Sequence, residues 1–312
     1  MACLKLLLAN TEMAPLTGAL AFCLNYGLGF CLIHFLHGTI ATKQPAMTAN
    51  AIAATICQSG GKLCDAETLA ALVARTVRTQ IVAILGNVGV AVPVAALIAF
   101  AVYFFSGTHF VPTAKAEHLL TEQSLIHSGV VVYAAIAGIC LFVAGLISGY
   151  FDNYAAYNRI PQRIRQLAWA RRLLGEYRLQ RVANYVGDNL GALAGNFLFG
   201  FMLGGTTLLG FLFGLPLDIR HVAFSSAFVG LGFVGLDGHP NAWLLLWSVL
   251  GVAAIGTINL VVSFSLALNV ALRSRQVSGT PWKTIIGAVW RHLRQRPRDF
   301  FMPPKNNIAE IR

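Results

Sequence analysis

Two short polar segments interrupt the apolar sequence, each beside a proline, and they contain the residues best suited to bind a charged solute. Residues 42–48 include Lys43, Gln44 and Thr48, and residues 216–221 include Asp218, Arg220 and His221. Asp218 and Arg220 are two positions apart, so they can form an ion pair or line an entrance for a charged solute. The alternative is a surface loop whose charges neutralise each other.

Five asparagines lie within long apolar runs, where an unsatisfied amide is costly. They are Asn25, Asn87, Asn196, Asn259 and Asn269. An amide in such a place can form hydrogen bonds between two helices, which predicts a structural role. A position on a solute pathway is the alternative.

Glycines are concentrated in the apolar segment 189–215, where six of them form three GxxxG pairs. The pairs are Gly191 with Gly195, Gly200 with Gly204, and Gly210 with Gly214. Small residues four positions apart let two helix backbones approach closely in a bilayer. The spacing therefore predicts a packing helix at the centre of a bundle, and a helix facing a pore or a solute is the alternative.

Recognisable catalytic and phosphate-binding motifs are missing from the sequence, including GxxxxGK(S/T), GxSxG and HExxH. His34 and His37 are three residues apart, but no carboxylate or thiol completes a metal-binding set. We therefore predict no catalytic residue, no metal site and no cofactor.

The composition indicates that these residues are positioned by a membrane protein. Hydrophobic residues make up 56% of the 312 residues and charged residues only 11%, whereas soluble domains have about 25% charged residues. This balance excludes a soluble globular domain, a disordered chain and a coiled coil. We predict an all-α, polytopic transmembrane helix bundle in which residues 1–312 form a single membrane domain.

Hydropathy places about five spanning helices in this bundle. The segments that can cross about 30 Å of hydrocarbon are 16–36, 80–105, 128–150, 189–215 and 242–272. A further apolar segment, 222–236, is too short to cross. It is expected to be a re-entrant segment or a short helix buried among the others.

The basic residues are distributed unevenly between the loops, and this predicts the orientation. Segments 37–79, 151–188 and 273–312 contain most of the 23 Lys and Arg, whereas segment 107–127 contains one lysine and two glutamates. Cytoplasmic loops contain the excess of Lys and Arg, so we predict a cytoplasmic C-terminus and an external 107–127. This topology puts residues 1–15 outside without a signal peptide, which suggests that upstream helices are missing.

Two basic segments, 161–182 and 281–296, have apolar residues at helical spacing. This pattern predicts interfacial amphipathic helices on anionic lipid, with solvated loops as the alternative. Phosphate groups, on lipid or on DNA, would contact Arg163, Arg165, Arg171, Arg172, Arg291 and Arg294.

Several strings together resemble a bacterial family. They include ATKQPAMTA at 41–49, GNFLFGFMLG at 195–204 and GLPLDIRHVAFSS at 214–226. The chain resembles the Gcr-type family of bacterial membrane proteins named site-specific recombinases, from about residue 16 to 304, and looks like a C-terminal portion of such a protein. The resemblance implies the bacterial inner membrane as location and DNA strand exchange as activity.

The residues and the family name point to two different functions. A tyrosine recombinase needs a Tyr nucleophile within an Arg and His cluster, and Tyr154, Tyr157 and Tyr177 lie near arginines in a segment that fits an interfacial helix equally well. One hypothesis is a non-enzymatic transporter-like or scaffold bundle whose partner is an anionic bilayer. The other is DNA recombination at the cytoplasmic face, with DNA as a partner only if the family name holds.

Overall fold

The computed structural model describes residues 1–38, 66–274 and 281–302. Ten α-helices and one 3-10 turn lie in this part of the chain, and no strand is found there. The predicted all-α fold is thus confirmed. Lys43, Gln44 and Thr48 lie outside the described residues.

The helices follow one another with short connections. They are α1 (Ala2–Ala9), α2 (Pro15–Phe35), α3 (Ala66–Ser106), α4 (Thr113–Gln123), α5 (Val130–Tyr157), α6 (Ile160–Arg165), α7 (Ala168–Phe213), α8 (Val222–Gly235), α9 (Ala242–Ser274) and α10 (Pro281–Gln295), followed by the 3-10 turn Pro297–Phe300.

Five of these helices are long and apolar enough to cross a membrane, as the hydropathy predicts. They are α2, α3, α5, α7 and α9, and each contains or closely matches one predicted span. Helix α8 has 14 residues, which corresponds to about 21 Å at 1.5 Å per residue. It is therefore shorter than the hydrocarbon layer, as expected for the segment 222–236.

The chain divides into two compact units. The first contains Met1–Ile40 and Cys140–Ile219, and the second contains Ala41–Ile139 and Arg220–Arg312. Within the first unit α2 packs antiparallel to α7. Cys23 Sγ lies 3.5 Å from the carbonyl oxygen of Phe201, whereas the ring of Phe35, at the other end of α2, stacks on Tyr185 at 5.7 Å.

The GxxxG pairs of α7 face different neighbours in the first unit. A Cβ added at Gly191 or Gly195 would meet Asp152 or Ser148 of α5, and one added at Gly200 would meet the backbone of Gly27 in α2. Gly204 similarly lies against Cys23, and Gly210 against the returning chain at Leu217. Gly214 ends α7 with a φ of +61°, a backbone conformation that glycine adopts without strain.

The basic segment 161–182 differs from the single interfacial helix that its spacing predicts. Helix α6 ends at Arg165, and α7 begins at Ala168. Gly175 then interrupts the start of α7 with φ 73° and ψ 164°. Because glycine has no Cβ, it tolerates this non-helical conformation, and the segment is split into short helical pieces.

In the second unit α8 is enclosed by other helices. Eleven of its residues are buried, which a helix that is apolar on all sides requires. Gly230 lies against the backbone of α3 at Val92, and Gly232 lies against α4 at Leu120. Gly256 of α9 lies against Val222, so the short helix is covered on three sides.

Gly200 provides a test of the close packing in the first unit. We expect Gly200→Ala to lower the free energy of unfolding by about 1–3 kcal/mol, because the new methyl group would meet the Gly27 backbone. Gly205→Ala is the matched control, since a Cβ there meets no atom within 4 Å. Unfolding in detergent by denaturant titration measures both, and an equal loss in the two variants would contradict the packing assignment.

Candidate functional site: a charged junction of helix ends

The starts of two helices in the second unit meet at one side-chain amide. Asn259, in the middle of α9 and fully buried, donates through Nδ2 to the carbonyl oxygens of Ala134 at 2.8 Å and Arg220 at 3.2 Å. Its Oδ1 accepts a hydrogen bond from the backbone N–H of Val222 at 3.3 Å. Asn259 therefore connects the start of α5 to the start of α8.

An ion pair joins the same place to the end of α4. Arg220 Nη2 lies 3.2 Å from Glu122 Oε1, and the Arg220 N–H donates to the carbonyl oxygen of Tyr133 at 3.3 Å. The guanidinium carbon is 5.6 Å from the centre of the Tyr133 ring. We refer to Glu122, Tyr133, Arg220 and Asn259 as the junction.

The two charges of the junction have different access to solvent. The side chain of Arg220 is 7% exposed and that of Glu122 is 31% exposed. A charge in an apolar interior is costly unless it is paired and hydrogen-bonded. Glu122 lies in the last turn of α4, where the helix dipole disfavours an anion, so its pairing with Arg220 is what stabilises the carboxylate.

Titratable groups connect the junction to the surface. His118 Nδ1 lies 3.9 Å from Glu122 Oε1, one turn earlier on α4, and its side chain is 70% exposed. The order His118, Glu122, Arg220 thus leads from solvent to the buried guanidinium. If the ion pair opens, the Arg220 guanidinium can bind an anion in place of Glu122.

Further polar side chains surround the beginning of α8. His221 and Ser225 are almost completely buried, and Ser226 Oγ donates to the carbonyl oxygen of Val222 at 2.6 Å. Ser225 Oγ has no hydrogen-bond partner among the residues that the structure describes. An unsatisfied buried hydroxyl is uncommon and points to a functional or water-binding role.

The structure places the residues of the polar segment 216–221 in different surroundings. Arg220 and His221 are buried in the second unit, and Arg220 forms its ion pair with Glu122. Asp218 is half-buried, and its Oδ1 accepts a hydrogen bond from the Ile219 N–H at 2.7 Å. A functional role of these residues stays a prediction.

Sequence reasoning missed Glu122 as a site residue because it treated 107–127 as an external loop. A signal was present. Buried residues of α4 recur at positions i, i+3, i+4 and i+7, namely Ala116, Leu119, Leu120 and Gln123. This spacing predicts an amphipathic helix packed on the bundle, which would have drawn attention to the glutamate in its last turn.

The other predicted asparagines form simpler contacts. Asn196 of α7 is buried and donates to the carbonyl oxygen of Phe30 in α2 at 3.3 Å, and Asn25 donates to the carbonyl oxygen of Met1 at 3.1 Å. Among the residues that the structure describes, Asn87 donates to Ala83 O of its own helix, at 2.8 Å. Asn25, Asn196 and Asn259 therefore connect separate segments, whereas the bond of Asn87 stays within α3.

The predicted phosphate-binding arginines are mostly at the surface. Arg163, Arg171, Arg172, Arg291 and Arg294 are exposed. Arg165 is half-buried and donates to Asn184 Oδ1, while Arg171 donates to the carbonyl oxygen of Arg165 at 3.2 Å. The Arg294 guanidinium lies 5.1 Å from the centre of the Trp290 ring.

A second candidate site is a cavity in the first unit. Its volume is about 340 Å³, and it is lined mainly by apolar side chains of α1, α2 and α7, among them Leu8, Phe22, Leu208 and Phe211. In the part of the chain that the structure describes, no three His, Cys, Asp or Glu residues come together to hold a metal ion. Unlike this cavity, the junction brings charged and hydrogen-bonding side chains together.

The helices indicate the class of protein, and one comparison gives its family. An all-α chain with five helices of spanning length has the architecture of a polytopic membrane protein. A family model described as Site-specific recombinase matches residues 1–303. The match covers almost the entire chain, so the chain belongs to this family, and the resemblance found in its strings is confirmed. No curated protein and no solved structure matches the chain.

Asn259 provides a test of the junction as a structural unit. We expect Asn259→Ala to lower the free energy of unfolding by about 2–4 kcal/mol, because three buried hydrogen bonds to backbone groups are lost. Asn87→Ala is the control and is expected to cost less than about 1 kcal/mol, since only a bond within one helix is removed. Denaturant titration of both variants in detergent measures the difference, and equal stabilities would contradict the role given to Asn259.

Proposed function

We propose that the chain is a non-enzymatic, multi-pass protein of the bacterial inner membrane, with a transporter-like bundle whose working site is the junction. The observation that carries the proposal is the ion pair between buried Arg220 and partly exposed Glu122, located where the ends of α4, α5 and α8 meet. Transporters commonly place interrupted helices and charged groups at their binding sites.

Energetic considerations favour a working site over a purely structural pair. Replacing a buried ion pair by apolar side chains of similar volume is often neutral or stabilising, so a static scaffold has little use for one. Ionisable residues among apolar helices instead tend to mark solute or proton pathways. The graded exposure from His118 to Arg220 supports such a pathway.

The orientation proposed for the chain follows from its loop charges. Residues 107–127 are external, and the basic segments 151–188 and 273–312 are cytoplasmic, as is the C-terminus. The directions of the helices in the first unit support spans that alternate in direction across the membrane. Asp152 of α5 accepts a hydrogen bond from the Gly191 N–H of α7, whereas Ala144, earlier in α5, lies against Gly195, later in α7. Both α2 and α5 therefore run antiparallel to α7, as this topology requires.

Cysteine labelling tests the orientation. We expect Ala114→Cys to react with a membrane-impermeant maleimide added to intact cells, because 107–127 faces outward, and Gln295→Cys to react only after permeabilisation. Both positions are exposed in the structure. The native cysteines are replaced by serine in both variants, and the reverse labelling pattern would overturn the topology.

Access to the interior of the junction separates a transporter-like bundle from a static scaffold. Ser225 is 1% exposed, so a rigid bundle protects a Ser225→Cys thiol from maleimide. A bundle that opens at the junction lets the thiol react from one side. If the ion pair stabilises the closed state by about 1.4 kcal/mol, Glu122→Gln raises the labelling rate about tenfold.

The matched control for this experiment is Glu117→Gln, which removes an exposed carboxylate from the same helix. We expect it to leave the labelling rate at position 225 unchanged. The contrary result is a Ser225→Cys thiol that stays unreactive both alone and in combination with Glu122→Gln, while Ala114→Cys reacts normally. In that case the junction is a static contact and the transporter-like function is wrong.

DNA recombination at the cytoplasmic face is the second candidate function. It is favoured by the family description and by the exposed arginines Arg163, Arg171 and Arg172, which follow the 91% exposed Tyr157 along the chain. If it applies, the purified protein in detergent binds duplex DNA, with an affinity that falls steeply with salt. Binding that disappears on addition of anionic lipid would instead identify the arginines as a lipid-binding surface.

A further inference from the structure

Helix α10 is fixed to the second unit by contacts on one of its sides and by the turn that follows it. Arg78 of α3 donates through Nη1 to the carbonyl oxygens of Asp299 at 2.8 Å and Met302 at 3.1 Å. His292 Nε2 lies 3.1 Å from Asp299 Oδ2. Ala288 and Phe300 are buried, so these contacts determine which side of α10 is turned away from the unit.

The opposite side of α10 combines basic and apolar residues. Its exposed residues are Lys283, Ile286, Trp290, Arg291, Arg294 and Gln295. The first five fall within an arc of about 140° at 3.6 residues per turn, and Gln295 lies beside that arc. Ile286 is 63% exposed and Trp290 is 54% exposed. Beyond the helix, Phe301 and Met302 are also more than half exposed.

We propose that this surface of α10 is a docking site for the anionic headgroup layer of a phospholipid bilayer. Lys283, Arg291 and Arg294 contact lipid phosphates, while Ile286 and Trp290 enter the boundary between headgroups and acyl chains. The indole ring suits this boundary because it is apolar with one polar N–H group. The proposal does not depend on the function of the junction.

The mixture of residue types favours a lipid surface over a nucleic acid. Binding to DNA phosphates requires basic and polar groups, and it leaves no role for exposed Ile286. A headgroup layer satisfies both kinds of residue at once, because charge attracts the helix and apolar burial holds it there. Stacking of Arg294 on Trp290 keeps a cation next to the inserting ring.

Hydrogen exchange of the full chain in lipid nanodiscs tests the proposal. Two bilayers are compared, one of phosphatidylcholine alone and one in which about a third of the lipid is phosphatidylglycerol. Each basic residue near an anionic surface strengthens binding about fivefold. We therefore expect amide exchange in residues 281–295 to slow at least about tenfold in the anionic bilayer, with no change in the middle of α9.

Two variants separate the electrostatic and apolar parts of the docking surface. The triple reversal Lys283→Glu, Arg291→Glu and Arg294→Glu is expected to abolish the lipid dependence. The double variant Ile286→Ser and Trp290→Ser is expected to reduce protection in both bilayers. The matched control reverses Arg171, Arg172 and Arg178, which are also exposed, and leaves exchange in α10 unchanged.

The outcomes that would overturn the proposal are specific. One is equal exchange of residues 281–295 in the two bilayers, while exchange in α3 and α9 shows that the fold is intact. Another is protection of α10 by duplex DNA added to phosphatidylcholine nanodiscs, without protection by phosphatidylglycerol. A third is wild-type protection in the Ile286 and Trp290 double variant, since insertion would then play no part.

Discussion

In an apolar environment, every helix end must find partners for its free backbone groups, and this requirement organises the second unit. Water satisfies such groups at the ends of helices in soluble proteins, but it is scarce between apolar helices. Asn259 accepts a hydrogen bond from the Val222 N–H and donates one to the carbonyl oxygen of Arg220, both at the start of α8, and its second N–H donates to the carbonyl oxygen of Ala134 within α5. One amide therefore makes it possible for α8 to begin inside the unit, against α5.

The charged pair depends on that arrangement. The carbonyl oxygen of Arg220 accepts a hydrogen bond from Asn259, and the N–H of Arg220 donates one to Tyr133. The backbone of Arg220 is therefore held by two hydrogen bonds that do not involve its side chain. This fixed backbone directs the guanidinium towards Glu122 at the end of α4. A flexible attachment would allow the arginine to reach solvent and avoid the desolvation cost. The junction holds its charge in place through backbone contacts.

The features that the sequence predicted well are those that depend on local composition or spacing. Spanning helices follow from apolar length, because the thickness of a bilayer determines how many residues are needed. The spacing of Gly191, Gly195, Gly200 and Gly204 likewise indicates a surface for close approach, whichever helix occupies it. It does not indicate that one pair meets α5 and the other meets α2, because that depends on how the helices are arranged.

What the sequence could not provide are contacts between distant residues and the effects of single backbone conformations. Glu122 and Arg220 are nearly one hundred positions apart, and the nearer acidic residue Asp218 was the obvious partner for the arginine. At Gly175 the apolar spacing continues through the interruption, so periodicity alone indicates an unbroken helix. Glycine is tolerated within helices and also allows them to break, and only the fold determines which occurs.

Arg78 recognises the C-terminal turn through two main-chain oxygens, those of Asp299 and Met302. Main-chain acceptors are present whatever side chain occupies the position, so substitutions at residue 302 leave this recognition intact. Insertion or deletion of a residue between 295 and 302 would move both oxygens out of reach. The contact with Arg78 thus constrains the number of residues between 295 and 302 more than the residue type at position 302, and insertions or deletions in this stretch should be rarer than substitutions at 302.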